Sequence, residues 1–150
     1  MSVIDRIRNN FTNAIIHRCS EMGCRLRLNG LSNRVVLKGE RICQDRRICD
    51  CIIFTGSIII GIVELKSKTA NSSEIEEKLT NGSEIALNIL ERCCDNDIKF
   101  EFYHIVLAKK WRSSEYKAIN SRKIVVRGKR YDIIPKRCGV SFAAIISSFK

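Results

Sequence analysis

The run Ile58-Ile59-Ile60-Gly61-Ile62-Val63 constrains this chain more than any other segment. β-Branched side chains favour extended backbone, and alternate positions along a strand face opposite sides. Ile58, Ile60 and Ile62 therefore occupy one face, with Ile59 and Val63 on the other. A strand that is apolar on both faces needs cover on both, so it belongs in the middle of a sheet with helices packed around it. The expected class is α/β (mixed α+β), a central mixed β-sheet flanked by helices. The apolar character stops abruptly at Glu64 and Lys66, and such a break between local pattern and burial marks a functional site.

The rest of the chain reads around that strand. Ser2 to about Met22 is expected as a helix, with Ile4, Ile7, Phe11, Ile15 and Met22 near helical spacing and Gly23 as its stop. Asn29 to Lys38 predicts a first strand and Gly39 to Arg47 a charged turn. Ile48 to Phe54 predicts a second strand, Thr55-Gly56-Ser57 a tight connection and Ile58 to Lys66 the third. Ser73 with Glu76 reads as a capping box opening a helix that continues through Asn81-Gly82 to Cys93. Phe100 to Ala108 is a fourth strand, and Trp111 to Asn120 a short polar helical segment. Ile124 to Arg127 and Tyr131 to Ile134 flank Gly128-Lys129 as a basic β-hairpin. Val140 to Phe149 closes the chain as a helix or strand. With 150 residues, one domain spanning 1–150 is expected.

The charge narrows the partner. The 27 Lys and Arg against 16 Asp and Glu leave +11, which points to a polyanion, nucleic acid ahead of a membrane surface. The most apolar stretch, Cys51 to Leu65, is too short to span a bilayer and is interrupted by Gly56, Ser57 and Gly61. No membrane association and a cytoplasmic location are the expectation. The eight cysteines match no zinc spacing and are read as small buried apolar side chains, with a structural disulfide as the next reading and with Cys49 and Cys51 on the same side of a strand around Asp50. His17 and His104 are read as structural.

Glu64 and Lys66 lie two apart on a strand and emerge on one face, while Leu65 points into the opposite layer. Asp50 sits on the preceding strand, and the short connection makes the two strands neighbours. Two carboxylates and an ammonium thus converge at one end of a sheet. Phosphodiester hydrolysis uses such a set: two carboxylates hold a hard divalent cation, and a lysine stabilises the extra negative charge of the transition state. The chain has three E-x-K triplets, at Glu64, Glu76 and Glu115. Only the first follows a buried strand with an acid next door.

The segment Cys49-Asp50-Cys51-Ile52-Ile53-Phe54, followed by Ile58 to Val63 and Glu64-Leu65-Lys66, resembles the core of the PD-(D/E)xK nuclease superfamily. In that family an Asp on one strand precedes an E-x-K on the next. The resemblance covers roughly Ser2 to Ala108, and Cys49 replaces the family's nominal proline. It implies a restriction-endonuclease-like core (of the Holliday-junction-resolvase kind) in the order αβββαβ plus a C-terminal β-hairpin. It further implies Asp50, Glu64 and Lys66 as catalytic residues. Mg²⁺ (or Mn²⁺) would be held by Asp50, Glu64 and the backbone carbonyl of Leu65, and the substrate would be nucleic acid, DNA ahead of RNA. Glu21, or more weakly Glu40, is the candidate for the acid that many members carry on the first helix. Lys68, Lys109, Lys110, Arg112, Arg127, Lys129 and Arg130 are the candidate nucleic-acid contacts, with Trp111, Tyr116 and Tyr131 interleaved. Cutting two strands would call for a homodimer. The other readings are a non-catalytic nucleic-acid-binding or assembly subunit with the same fold, and a cysteine-coordinated metal protein.

Overall fold

The computed structural model describes residues 1–66, 71–94 and 97–149. A seven-stranded mixed sheet forms from β1 (Ile15–Ile16), β4 (Arg34–Lys38), β5 (Cys51–Thr55), β6 (Ile59–Lys66), β7 (Glu101–Ala108), β9 (Lys129–Arg137) and β8 (Lys123–Val126), in that spatial order. β5 runs antiparallel to both β4 and β6, whereas β6, β7 and β9 are parallel to one another. The parallel step from β6 to β7 uses a helical crossover, α3 (Ser72–Cys93). The mixed α/β class and the helix-flanked central sheet expected from β6 are therefore present.

All eight residues of β6 are buried. Ile60 and Ile62 enter one core with Ile4 and Ile7 of α1 (Val3–Asn10), Ile75 and Leu79 of α3, and Ile119 of α4 (Ser113–Asn120). Ile59, Val63 and Leu65 enter a second core on the other face. That core is closed by Phe142 and Ile145 of α5 (Phe142–Ser148) and by Cys19, Cys24 and Leu26 of a separate ribbon, β2 (Cys19–Glu21) with β3 (Cys24–Leu26). The two-faced pattern of six residues thus dictates a helical layer on one side and a ribbon-plus-helix layer on the other.

The first helix departs from expectation. It ends at Asn10, not near Met22, and residues 15–26 form β1 and the β2–β3 ribbon. Thr12, Asn13 and His17 to Arg18 interrupt the apolar stripe, and β1 gains hydrogen bonds on the edge of β4 that a lone helix would not supply. Met22 and Gly23 adopt positive φ values, 48° and 80°, as the turn of the ribbon. Asn71, rather than Ser73, caps α3, its Oδ1 accepting from the Ser73 N–H at 2.8 Å. α3 then runs unbroken through Asn81-Gly82. Gly82 is there for close approach: a Cβ would stand 2.5 Å from the Cys49 sulfur. The hairpin turn is Arg127-Gly128, one residue earlier than expected, both at positive φ as a two-residue primed turn requires. Its second strand extends the central sheet beside β7.

Four of the eight cysteines pair, Cys19 with Cys51 and Cys24 with Cys138. Cys43, Cys49 and Cys93 are free and buried, as the apolar reading expects. The pairs join positions 32 and 114 residues apart, which no local spacing reveals. Cys49 and Cys51 do not share a side: Asp50 sits in a bend before β5, so Cys49 enters the helical core and Cys51 the other. Among the described residues, no helix is long and apolar enough to cross a membrane.

Candidate active site

Asp50 is positioned by backbone. The Gly39 N–H donates to the Asp50 carbonyl at 2.9 Å, and the chain passes so close that a Cβ on Gly39 would lie 1.9 Å from the Cys49 carbonyl oxygen. Only glycine fits there. The Asp50 carboxylate then reaches across to β6, where its Oδ2 accepts from the Leu65 N–H at 2.7 Å. The acid predicted from one strand and the E-x-K predicted from the next therefore meet at the Leu65 peptide.

Glu64 stands beside Asp50 on the helix-covered face, only 6% exposed. Its Oε2 accepts from the Lys78 ammonium of α3 at 3.0 Å, while its Oε1 is buried with no hydrogen-bond partner among the described residues. Burial and then the negative charge of Asp50 push its carboxyl up to about 8, against a partial offset from Lys78. Lys78 in turn is raised by the hydrogen bond and charge of Glu64, which outweigh its partial burial. Burial, followed by the charges of Glu64 and Asp50, also raises the neighbouring Cys49 thiol, which stays protonated.

Lys66 lies on the same face two residues further on, but its ammonium is engaged away from Glu64. It donates to Glu115 of α4 at 2.7 Å, and the side chain is 5% exposed. The Trp111 ring lies 5.4 Å from it, within cation–π range. The Lys66 hydrogen bond holds the Glu115 carboxyl below its ordinary value. The third E-x-K triplet thus contributes its glutamate to the first triplet's lysine.

The remaining candidates divide by position. Glu21 is not on a helix; it is an exposed residue at the end of β2, in the ribbon that covers the face opposite Glu64. Glu40, in the short helix α2 (Gly39–Ile42), pairs with Lys38 at 3.1 Å. Lys109, Lys110 and Arg112 follow the end of β7 and lie at the same end of the sheet as Glu64, which is in register with Val106. Arg127, Lys129 and Arg130 lie at the other end. Lys129 is six residues from Pro135, the β9 partner of Val106, or roughly 20 Å along the strand. Arg127 is taken up by α3, bonding Glu91 at 2.7 Å and Asn88 at 3.2 Å. Lys68 lies outside the described residues.

Lys78 and a groove of about 720 Å³ lined by Glu40, Arg41, Arg46, Arg47 and Lys78 were not anticipated from the sequence. Lys78 had a signal: it directly precedes buried Leu79 and follows buried Ile75 by three, so it borders the stripe that faces β6. The groove had none, because it is assembled from α2, the loop after it and α3. Among the described residues no group of three or more His, Cys, Asp and Glu gathers, so any ion here would rest on two carboxylates and backbone oxygen. His104 is buried under α3, its Nε2 2.8 Å from the Ser83 hydroxyl, and burial holds it down to about 3. This is a neutral core histidine. Compared with known proteins, the chain matches no family model, no curated protein and no solved structure.

Proposed function

We propose that this protein is a metal-dependent nuclease of the PD-(D/E)xK type, with a restriction-endonuclease-like core, acting on nucleic acid, DNA ahead of RNA. The observation that carries the proposal is the Asp50–Glu64 pair. A buried carboxylate, Glu64, and a half-buried one, Asp50, stand side by side, and among the described residues Glu64 Oε1 has no hydrogen-bond partner. Two anions held together out of water repel unless a proton or a cation joins them. Oxygen-only donors suit a hard cation, Mg²⁺ or Mn²⁺, with Asp50, Glu64 and the Leu65 carbonyl as the residues that would hold it. With β1, the β2–β3 ribbon and α2 inserted between them, the elements α1, β4, β5, β6, α3 and β7 follow the order helix, three antiparallel strands, crossover helix and parallel strand, which supports the same reading.

A bound divalent cation supplies polarisation of the phosphodiester and a more acidic attacking water. The chain's own groups do the rest. The Leu65 N–H orients the Asp50 carboxylate so that its other oxygen stays available. Lys78 offsets part of the Glu64 charge and fixes its Oε2, leaving Oε1 to face the site. Lys66, set in place by Glu115 and Trp111, provides fixed positive charge for the pentavalent transition state. Arg41 and Arg46, exposed in the adjoining groove, supply phosphate contacts close to the acids.

Calorimetric titration with Mg²⁺ and Mn²⁺, paired with a cleavage assay on labelled DNA, tests this. Wild type binds the ion and cuts, and Glu64→Ala does neither. Equal cleavage by wild type and Glu64→Ala would remove Glu64 from the mechanism. A second reading, a non-catalytic nucleic-acid-binding subunit, is favoured by the Lys66–Glu115 pair, which turns the lysine away from the acids. Absence of any ion binding by wild type would select it.

A further inference from the structure

We infer that the reverse face of the sheet carries a second, non-catalytic binding site for a nucleic-acid phosphate backbone, formed by arginines of the β2–β3 ribbon and the β1–β4 edge. His17, Arg18, Arg25, Arg27, Asn29 and Arg34 line a cleft of about 270 Å³ there, with Leu26 and Leu28 as its buried floor. An adjoining groove shares His17 and Arg34 and adds Arg8, so the basic lining continues around the sheet edge. Among the described residues no acid lines either one.

The placement separates this site from the acids. Arg34 has the strand parity of Val36, which packs in the core on the face opposite Glu64. It pairs with Thr55, whereas Lys38, four residues on, pairs with Cys51 beside Asp50. The cleft therefore sits roughly 13 Å further along the strand as well as behind it.

The charge is unspent. Several basic side chains elsewhere are answered by acids: Lys66 by Glu115, Lys78 by Glu64, Arg47 by Glu74, Arg122 by Glu76, Arg127 by Glu91 and Lys123 by Asp132. Among the described residues Arg18, Arg25, Arg27 and Arg34 have no acidic partner, so four like charges gather on one cleft without an acid among them. Like-charged guanidinium groups gathered around a concave surface repel one another and gain most from a polyanion.

The ribbon is also held rigidly. Two disulfides anchor it, and the Gly139 N–H donates to the Arg25 carbonyl at 2.8 Å. The Arg27 N–H bonds the Val140 carbonyl at 2.9 Å, and its Nε donates to the Gly139 carbonyl at 2.6 Å. Such preorganisation lowers the ordering cost of binding. Arginine forks match phosphate oxygens, and among the described residues the cleft lining carries no large exposed apolar side chain, Met22 at the ribbon's turn standing outside it. A nucleic-acid backbone is the polyanion that fits.

The inference does not rest on the catalytic reading, because binding can be followed in EDTA where cleavage is silent. Fluorescence anisotropy with a labelled DNA duplex measures affinity against salt for wild type, Arg18→Glu/Arg25→Glu and a reference variant, Lys99→Glu/Lys117→Glu, at exposed lysines outside the cleft. The cleft variant is expected to lose about tenfold or more in affinity, with a log–log salt slope smaller by about two, one unit per lost phosphate contact. The reference variant, of equal charge, is expected to lose less. Arg18→Gln/Arg25→Gln, with an unchanged thermal transition, should show the same loss in smaller degree. Equal losses in the cleft and reference variants would overturn the inference. So would a cleft variant that keeps its DNA affinity but no longer binds phosphatidylserine vesicles. Loss of cleavage with intact cleft-dependent binding would sink the nuclease proposal alone.

Discussion

Replacing Glu64 by Gln should stabilise the metal-free protein at alkaline pH while removing its response to Mg²⁺. The perturbation keeps the shape of the side chain and its contacts. The amide oxygen can still accept from Lys78, and the amide nitrogen can donate to Asp50. What disappears is the buried charge. Glu64 is raised from an ordinary 4.5 to about 8, so the folded state holds its proton where the unfolded state has released it. The stability this group contributes is complete below about pH 4.5 and declines as pH rises to about 8. That interval corresponds to at most about 5 kcal/mol at pH 9 and about 3 kcal/mol at pH 7. In a chain of 150 residues each kcal/mol moves the thermal midpoint by about 2–4 °C. Calorimetric melting in EDTA from pH 5 to 9 should therefore show wild type falling relative to Glu64→Gln by about 6–12 °C near neutral pH. Adding Mg²⁺ should recover wild type by mass action and leave the variant unmoved. Parallel pH profiles for the two proteins in EDTA would refute the reasoning, since they would mean that Glu64 is not a buried anion beside Asp50.

His104 is held at about 3 against 6.5 when unfolded, so the stability it contributes is present above about pH 6.5 and is lost as pH falls towards 3, by up to about 5 kcal/mol. His104→Phe should flatten acid unfolding in that window, as followed by circular dichroism. Gly82→Ala places a methyl 2.5 Å from the Cys49 sulfur and should lower stability by about 1–3 kcal/mol in urea unfolding, with a larger midpoint shift than Ala86→Gly. Removing the Cys24–Cys138 bridge, which joins positions 114 residues apart, should cost about 4 kcal/mol in the same assay run with and without reductant. Lys66→Met, which keeps the apolar stem of the side chain, should preserve ion binding by calorimetry and lower cleavage by about 100-fold or more.

The helical layer, the strand that ends in Glu64 and Lys66 and the acid just ahead of its neighbour were legible because each is set by local periodicity. A run of β-branched residues that is apolar on both faces can only be an interior strand. Residues two apart on it must share a face. The same logic failed over residues 11–26, where the apolar spacing fits helix and strand alike and pairing with the edge of β4 decided between them. It also mistook the basic residues of the last third for one cluster. The hairpin adds to the sheet through β9 beside β7, and that parallel register sends Lys129 and Arg130 to the end away from the acids.

By itself, then, the sequence determined the class of fold and the Asp50, Glu64 and Lys66 positions, because strand alternation and burial are properties of neighbouring residues. Only the tertiary structure decided who answers those charges: Lys78 on Glu64, Glu115 on Lys66, and, among the described residues, no acid on the arginines of the disulfide-anchored ribbon. Those pairings join residues from 14 to 114 positions apart, and partner choice at that range is set by how layers stack, which no local pattern records.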